Sequence, residues 1–262
     1  MATQRYRVRE GIVVRRTPLP SGDVVVTLLS PDGKWRAVAR KGRLLGGNPG
    51  RLSLFHDVTV QVYQRRADDL AVVAQVRLNG ALPRLSDPAV YPYAHLLAEL
   101  ADRLTVDVHV GEPLHAWLAS GLRGLNEDDD PERVALIHAW MLLRVAGLGP
   151  DAGDDGADAP AGDTLEEGTA EGGDAPRFDL VGGRIVRSGE GIALRGDTAR
   201  GLRLLTAGRA RDALAEPLTD RAAHWRLLAR YVAWHVDDLR SLGGVAGGHD
   251  GARQAGTFGS AR

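Results

Sequence analysis

The residues of this chain best suited to chemistry are basic side chains near its N-terminus, and that chemistry is anion binding. Lys34, Arg36 and Arg40 recur at alternate positions, so a β-strand would project all three from one face. Ammonium and guanidinium groups are the usual partners of phosphate oxygens. An ordinary solvated strand face is the simpler alternative. Further cations lie before and after this strand in the chain: Arg15, Arg16, Lys41, Arg43 and Arg51.

The charge of the chain is strongly segregated along its length, although the whole sequence carries only −1. Residues 1–66 contain thirteen basic and four acidic residues, whereas residues 151–175 contain nine acidic residues and no basic one. A domain with so large a positive excess repels itself unless it binds an anion. The pattern therefore favours a nucleic-acid-binding N-terminal domain followed by an acidic segment.

Catalytic and metal-binding motifs are missing from the sequence. It contains no cysteine, which excludes disulfides, thiol nucleophiles and thiolate metal sites. His224 and His235 lie eleven residues apart, about three helical turns, which is too far for shared metal ligation. The acidic run Asp128–Asp130 precedes Pro131 and is better explained by the positive end of a helix dipole. We therefore predict a binding protein and not an enzyme.

The elements that must position the basic residues are short β-strands. Trp35, Ala37 and Ala39 alternate with the cations and are predicted to face a core. Five strands within about 75 residues leave no room for crossover helices, which predicts a small, closed antiparallel barrel over residues 1–82. The strands are expected at residues 11–16, 23–29, 34–40, 58–63 and 70–76.

Helical periodicity replaces the strand pattern after Pro83, which gives an α+β chain with an all-helical second part. Helices are predicted around residues 91–104 and 114–125, from Pro131 to Gly147, and over 202–214 and 220–242. The expected organisation is helical over 83–148, an acidic flexible loop and a hairpin around Gly182-Gly183 over 149–192, further helices over 193–243, and a flexible tail over 244–262.

Several stretches of the sequence resemble the bacterial DNA repair protein RecO family, in particular its Deinococcus-type members. The resemblance lies in the order and spacing of Gly11-Ile-Val-Val, Gly22–Leu29, Gly33–Gly42, Leu52–Tyr63 and Tyr91–Asp102, and it covers residues 7–150 best. It implies an OB-fold domain, a helical domain and a zinc module. It also implies binding of single- and double-stranded DNA, annealing of complementary strands, and help in loading RecA together with RecR and single-strand-binding protein (SSB). Carried over to this sequence, the resemblance gives a predicted DNA-contacting set: Lys34, Arg36, Arg40, Lys41 and Arg43, with Arg15, Arg16 and Arg51 as their neighbours.

The sequence departs from that family at the zinc module. The four zinc cysteines of the family fall near Asp155, Asp158, Arg187 and Glu190, and an arginine cannot ligate zinc. We expect no zinc and no other cofactor, so the hairpin around Gly182-Gly183 would be a degenerate zinc-module hairpin held by packing.

The sequence also suggests a site for a protein partner and a cellular location. The acidic, apolar tail of SSB requires a groove with a cationic rim, for which Arg123, Arg133 and Arg144 are the candidates. Surface solubility explains these three arginines equally well. The absence of an apolar run or leader-like N-terminus favours a cytoplasmic, nucleoid-associated protein. An RNA-binding or translation-associated OB-fold protein is the alternative function.

Overall fold

The computed structural model describes two compact units, Met1–Ala146 and Gly147–Arg262. The described residues are 6–40, 49–66, 69–105, 111–150, 176–186, 190–206, 220–236, 239–243 and 245. The acidic segment 151–175 and nearly all of the tail lie outside these ranges, as does most of the predicted helix after residue 206.

The N-terminal part of the first unit is a closed five-stranded barrel with strand order β1-β2-β3-β5-β4. Its strands are β1 (Tyr6–Pro18), β2 (Val24–Ser30), β3 (Gly33–Ala39), β4 (Asp57–Tyr63) and β5 (Ala71–Gly80). The prediction of a wholly antiparallel barrel is wrong at one place, since β3 and β5 run parallel. A ring with an odd number of strands cannot alternate direction at every step, so one neighbouring pair has to be parallel.

The first strand is much longer than the predicted residues 11–16 because it serves two partners. Its N-terminal half pairs with β4 and its C-terminal half pairs with β2, with a register shift between Val13 and Arg15. The residues Tyr6–Glu10 are mostly polar and exposed. They form a strand because β4 offers them hydrogen bonds, which no local pattern reveals.

The barrel interior is filled by small aliphatic side chains, as its strand alternation predicts. Trp35, Ala37 and Ala39 all contact this core, which confirms the predicted inward face of β3. The turn between β2 and β3 is the predicted Ser30–Gly33 turn. Gly33 adopts a φ of 110°, a conformation that a residue with a Cβ rarely takes. Because side chains alternate along a strand, Lys34, Arg36 and Val38 of β3 point away from the core.

Three helices complete the first unit: α1 (Tyr91–Leu104), α2 (Gly111–Glu127) and α3 (Pro131–Leu143). The helix predicted for residues 91–104 is confirmed at both ends. The side chain of Asp130 caps α3 by accepting from the backbone N–H of Arg133, and Pro131 occupies the first turn. Gly147 ends the helical path with a φ of 80°.

The second unit contains a small sheet and two described helices. Its elements are β6 (Arg177–Asp179), β7 (Arg184–Val186), β8 (Ile192–Ala193), α4 (Gly196–Thr206) and α5 (Arg221–His235). The predicted hairpin around Gly182-Gly183 is present, with a third strand that was not predicted. Its Phe178 packs edge-on against Tyr231 of α5 with ring centroids 5.4 Å apart.

The long helix predicted over residues 220–242 is too long, because α5 ends at His235. Val236 has an extended backbone with φ −130° and ψ 116°, so the helical hydrogen bonds stop there. None of the helices in the described part of the chain is long and apolar enough to cross a membrane.

Candidate nucleic-acid interface

The outer surface of the barrel has a covered side and an open side. Helices α1 and α2 contact β1, β2 and β3 from outside. Outward-facing residues such as Thr27 and Leu29 are therefore buried even though they do not enter the barrel core. The strands β4 and β5, the N-terminal half of β1 and the edge of β3 that pairs with β5 carry half-buried and exposed side chains on their outer face. An extended ligand would have access to this second side.

Arg15 and Lys34 lie on the covered side, where both meet Asp102 of α1. The carboxylate is 4% exposed; its Oδ2 lies 3.3 Å from Arg15 Nε and its Oδ1 lies 3.2 Å from Lys34 Nζ. Lys34 also donates a hydrogen bond of 2.6 Å to the backbone carbonyl of Asp102. The contact with Oδ1 is off the hydrogen-bond direction, so it is an ionic attraction, and the directed bond goes to the carbonyl.

These contacts give Arg15 and Lys34 a structural partner. One buried carboxylate neutralises part of their charge and holds the barrel against α1. Both residues belong to the predicted DNA-contacting set, and the structure places both at the junction between barrel and helices. Asp102 itself was missed, because it lies on the opposite side of the helix from Leu96, Leu100 and Leu104, where a solvated carboxylate is the ordinary expectation.

Arg36 and Arg40 lie on the open side of the barrel. Both are exposed, and neither forms an ion pair with any described residue. In the barrel register Thr27 of β2 lies between Arg36 of β3 and Arg15 of β1, so the two arginines are two strands apart. Their guanidinium groups are available to an anion in solution. The alternation of residues 34–40 predicted this outward orientation.

The other predicted contacts are dispersed. Arg16 is exposed at the rim of a cavity of about 450 Å³ that Phe55 and Tyr91 also line. Arg51 is exposed, and its Nη1 donates 3.2 Å to the carbonyl of Val76. The remaining two predicted contacts, Lys41 and Arg43, lie outside the described residues.

Two groups on the open side were not included in the predicted site. Arg65 and Arg66 follow β4 and are exposed, with no carboxylate paired to either side chain among the described residues. Tyr6 and Tyr63 are direct cross-strand partners whose ring centroids lie 5.2 Å apart, and Tyr6 is 52% exposed. The alternation of residues 58–63 indicated an outward Tyr63, but the segment around Tyr6 carried no strand signal.

The arginines predicted as a partner-binding rim lie on α2, at the start of α3 and just after α3. Arg133 lies at the start of α3, 3.4 Å from Asp128 Oδ2 and 3.8 Å from Asp130 Oδ2. Arg144 lies eleven residues further on, about 16 Å along the helix axis. Arg123 is exposed on α2. Arg133 and Arg144 therefore lie at opposite ends of α3.

The second unit has a cavity of its own with a cationic and apolar lining. Its volume is about 590 Å³, and three arginines line it: Arg195, Arg226 and Arg230. The apolar lining includes Leu194 and Leu227. Arg195 Nη1 is 3.2 Å from Asp220 Oδ2, while Arg226 and Arg230 form no ion pair with the described residues. An acidic peptide with apolar side chains matches this chemistry.

Among the described residues, no three potential metal ligands cluster. His224 is fully buried without a hydrogen-bond partner in the described structure, and this burial lowers its pKa to about 4, against a smaller opposing effect of Asp220. It is therefore neutral at pH 7. Of the four positions near which the family has zinc cysteines, Glu190 is exposed. The other three positions, Asp155, Asp158 and Arg187, lie outside the described residues.

Comparison with known proteins gives matches along most of the chain. Residues 5–81 match the family model described as "Recombination protein O N terminal", and residues 85–242 match "Recombination protein O C terminal". The chain is 34% identical over 152 residues to "DNA repair protein RecO" of Cutibacterium acnes, covering 54% of this chain and 61% of that protein.

Other relatives have the same name and a similar extent. Identity is 32% over 147 residues to the protein of that name from Frankia casuarinae, covering 53% of this chain and 59% of the relative. It is 31% over 147 residues for Bifidobacterium adolescentis, with shares of 54% and 59%. The matched segment thus spans about three fifths of the length of each relative.

Proposed function

Because the chain belongs to the recombination protein O family, we propose that it is a recombination mediator in DNA repair that acts by binding and not by catalysis. It binds single- and double-stranded DNA, anneals complementary strands, and helps to load RecA onto SSB-coated DNA together with RecR in the RecFOR pathway. The proposal includes a cytoplasmic, nucleoid-associated location and no requirement for zinc or another cofactor.

One observation carries this proposal for the chain's own residues. Arg36 and Arg40 are exposed on the open side of the barrel without an ion-pair partner among the described residues, whereas Arg15 and Lys34 on the covered side share Asp102. An unpaired cation is available for phosphate, and binding a phosphate releases counterions from the DNA. Arg36 and Arg40, with Arg65 and Arg66 nearby on the same barrel, are therefore the DNA contacts that we favour.

Charge neutralisation explains how such a surface promotes annealing. Two DNA strands repel one another through their phosphates, and a protein that neutralises part of that charge lowers the repulsion. Contacts with the sugar–phosphate backbone leave the base edges free to pair. No covalent step and no nucleotide hydrolysis are needed, because base pairing itself supplies the favourable free energy.

Annealing is the first test of this proposal. The purified chain is expected to accelerate pairing of two complementary oligonucleotides without ATP, and the acceleration should fall steeply as the salt concentration rises. Failure to bind DNA at low salt would overturn the proposal. Binding to RNA with no annealing of DNA would favour the alternative, an RNA-binding or translation-associated protein.

The cavity of the second unit fits a protein partner better than the three arginines predicted from the sequence. The tail of SSB is acidic and apolar, and the cavity of the second unit combines Arg226 and Arg230 with apolar walls. RecR is the second protein partner that we propose. Arg123, Arg133 and Arg144 remain an alternative surface, although Arg133 already has acidic neighbours.

We expect a fluorescent peptide with the acidic SSB tail sequence to bind the full chain, and the variant Arg226→Glu/Arg230→Glu to weaken this binding about tenfold or more. The loss follows from replacing two attractive charges by two repulsive ones. Fluorescence anisotropy measures the affinity. The matched control reverses Arg123 and Arg144 instead; a larger loss in that control would move the peptide to the first unit.

A further inference from the structure

The register of the barrel aligns four outward residues, one from each of four neighbouring strands. Val38 of β3 is paired with Val72 of β5, Val72 with Tyr63 of β4, and Tyr63 with Tyr6 of β1. We call these four residues the transverse row. Neighbouring strands lie about 4.8 Å apart, so the row is about 14 Å long. It crosses the open side of the barrel without interruption.

The two ends of the transverse row differ in chemistry. At the β3 end, Val38 is flanked by Arg36 and Arg40, which lie two residues away on the same outward face. At the β1 end, the rings of Tyr6 and Tyr63 lie in contact. Leu70 is 43% exposed immediately before β5 and adds apolar surface between the two ends.

The charges around the row are mostly positive. Arg65 follows Tyr63 by two residues and is exposed, as is Arg66. Asp69 lies at the same hairpin, where its Oδ2 accepts from the backbone N–H of Arg66. On β1 the nearest carboxylate is that of Glu10, four residues from Tyr6. Its Oε1 accepts a hydrogen bond from the hydroxyl of Thr59. A row of apolar and aromatic groups bordered by guanidinium groups fits a polyanion that exposes flat rings.

We propose that the transverse row binds single-stranded DNA, with phosphates on Arg36 and Arg40 and with bases stacked on Tyr63 and Tyr6. Aromatic side chains beside a cationic groove are the usual means of binding single strands without sequence preference. A duplex keeps its bases stacked inside the helix, so it can use the arginines but not the rings. The inference rests on the proposed DNA-binding function and adds to it a site that distinguishes single strands from duplexes.

The test compares an oligothymidylate with an abasic oligonucleotide of equal length and charge. The wild-type chain is expected to bind the oligothymidylate about 10- to 100-fold more tightly. The variant Tyr6→Leu/Tyr63→Leu should lose most of that difference and keep its affinity for the abasic strand and for duplex DNA. The variant Tyr6→Phe/Tyr63→Phe keeps both rings and should retain the preference, which also shows that these positions tolerate substitution.

A third variant controls for the loss of an exposed tyrosine elsewhere. Tyr91→Leu removes a ring from α1, away from the row, and should leave both affinities unchanged. If the leucine double variant, folded by circular dichroism, binds oligothymidylate as the wild type does, the inference is wrong while the proposed function stands. A change in oligomeric state with no change in DNA binding would also overturn it, because the row would then bind protein. No DNA binding by the wild type would overturn the proposed function itself.

Discussion

The variant Arg36→Glu/Arg40→Glu is expected to bind single-stranded DNA about 100-fold more weakly than the wild type at low salt, and to lose strand annealing. Loss of each arginine–phosphate contact, together with the repulsion from the new carboxylate, costs on the order of 1.4 kcal/mol, so two residues give about 100-fold. The dependence of log K on log salt should also become shallower by about 1.4 for a single strand, since two phosphate contacts are removed. Fluorescence anisotropy across a salt series measures both quantities.

The cavity variant Arg226→Glu/Arg230→Glu provides the matched control, because it makes the same change in net charge within the second unit. It should keep DNA affinity within about threefold, while Arg36→Glu/Arg40→Glu should keep its affinity for the acidic peptide. Equal losses of DNA binding in both variants would mean that net charge and not the open side of the barrel controls affinity. Retained annealing in the barrel variant would exclude Arg36 and Arg40 from the DNA site.

The second large effect is on stability and concerns Asp102. We expect Asp102→Ala to lower the free energy of unfolding by about 3 kcal/mol, because it leaves Arg15 and Lys34 without the carboxylate that neutralises them in a partly buried place. Urea denaturation followed by circular dichroism and by tryptophan fluorescence measures the change. A loss below about 0.5 kcal/mol would instead mean that the two ion pairs behave like exposed surface pairs.

A double variant separates the charge interaction from simple packing. Replacing both Asp102 by Asn and Lys34 by Met removes one cation together with its carboxylate, so it should cost less stability than Asp102→Ala alone. The single variant Lys34→Met should reduce stability but change DNA affinity less than threefold. A large loss of DNA affinity in Lys34→Met with unchanged stability would return Lys34 to the DNA-contacting set.

These two predictions assign different roles to cations that look alike in the sequence. Lys34 and Arg36 are two residues apart on one strand, and both point away from the barrel core. Lys34 forms an ion pair with Asp102 of α1, whereas Arg36 has no ion pair among the described residues. Charge alone therefore does not identify a ligand contact; the residue must also lack a partner from its own chain.

Much of the fold was determined by local sequence. The alternation of Trp35, Ala37 and Ala39 placed those residues in the barrel core, and the apolar spacing after Tyr91 gave helix α1 with the observed bounds. Both follow from side-chain periodicity, which is a property of a short segment. The order of five strands followed by helices was readable for the same reason.

Tertiary structure alone decided the features that bring distant segments together. The strand at Tyr6–Glu10 exists because β4 pairs with it, the parallel β3–β5 contact exists because an odd ring must close, and Asp102 meets Arg15 and Lys34 across more than sixty residues of chain. The sequence by itself determined which residues are cationic, aromatic or apolar, and which face of its strand each one takes. Which cations stay available for a ligand was decided by long-range packing, because a charge is neutralised by whatever carboxylate the fold brings beside it.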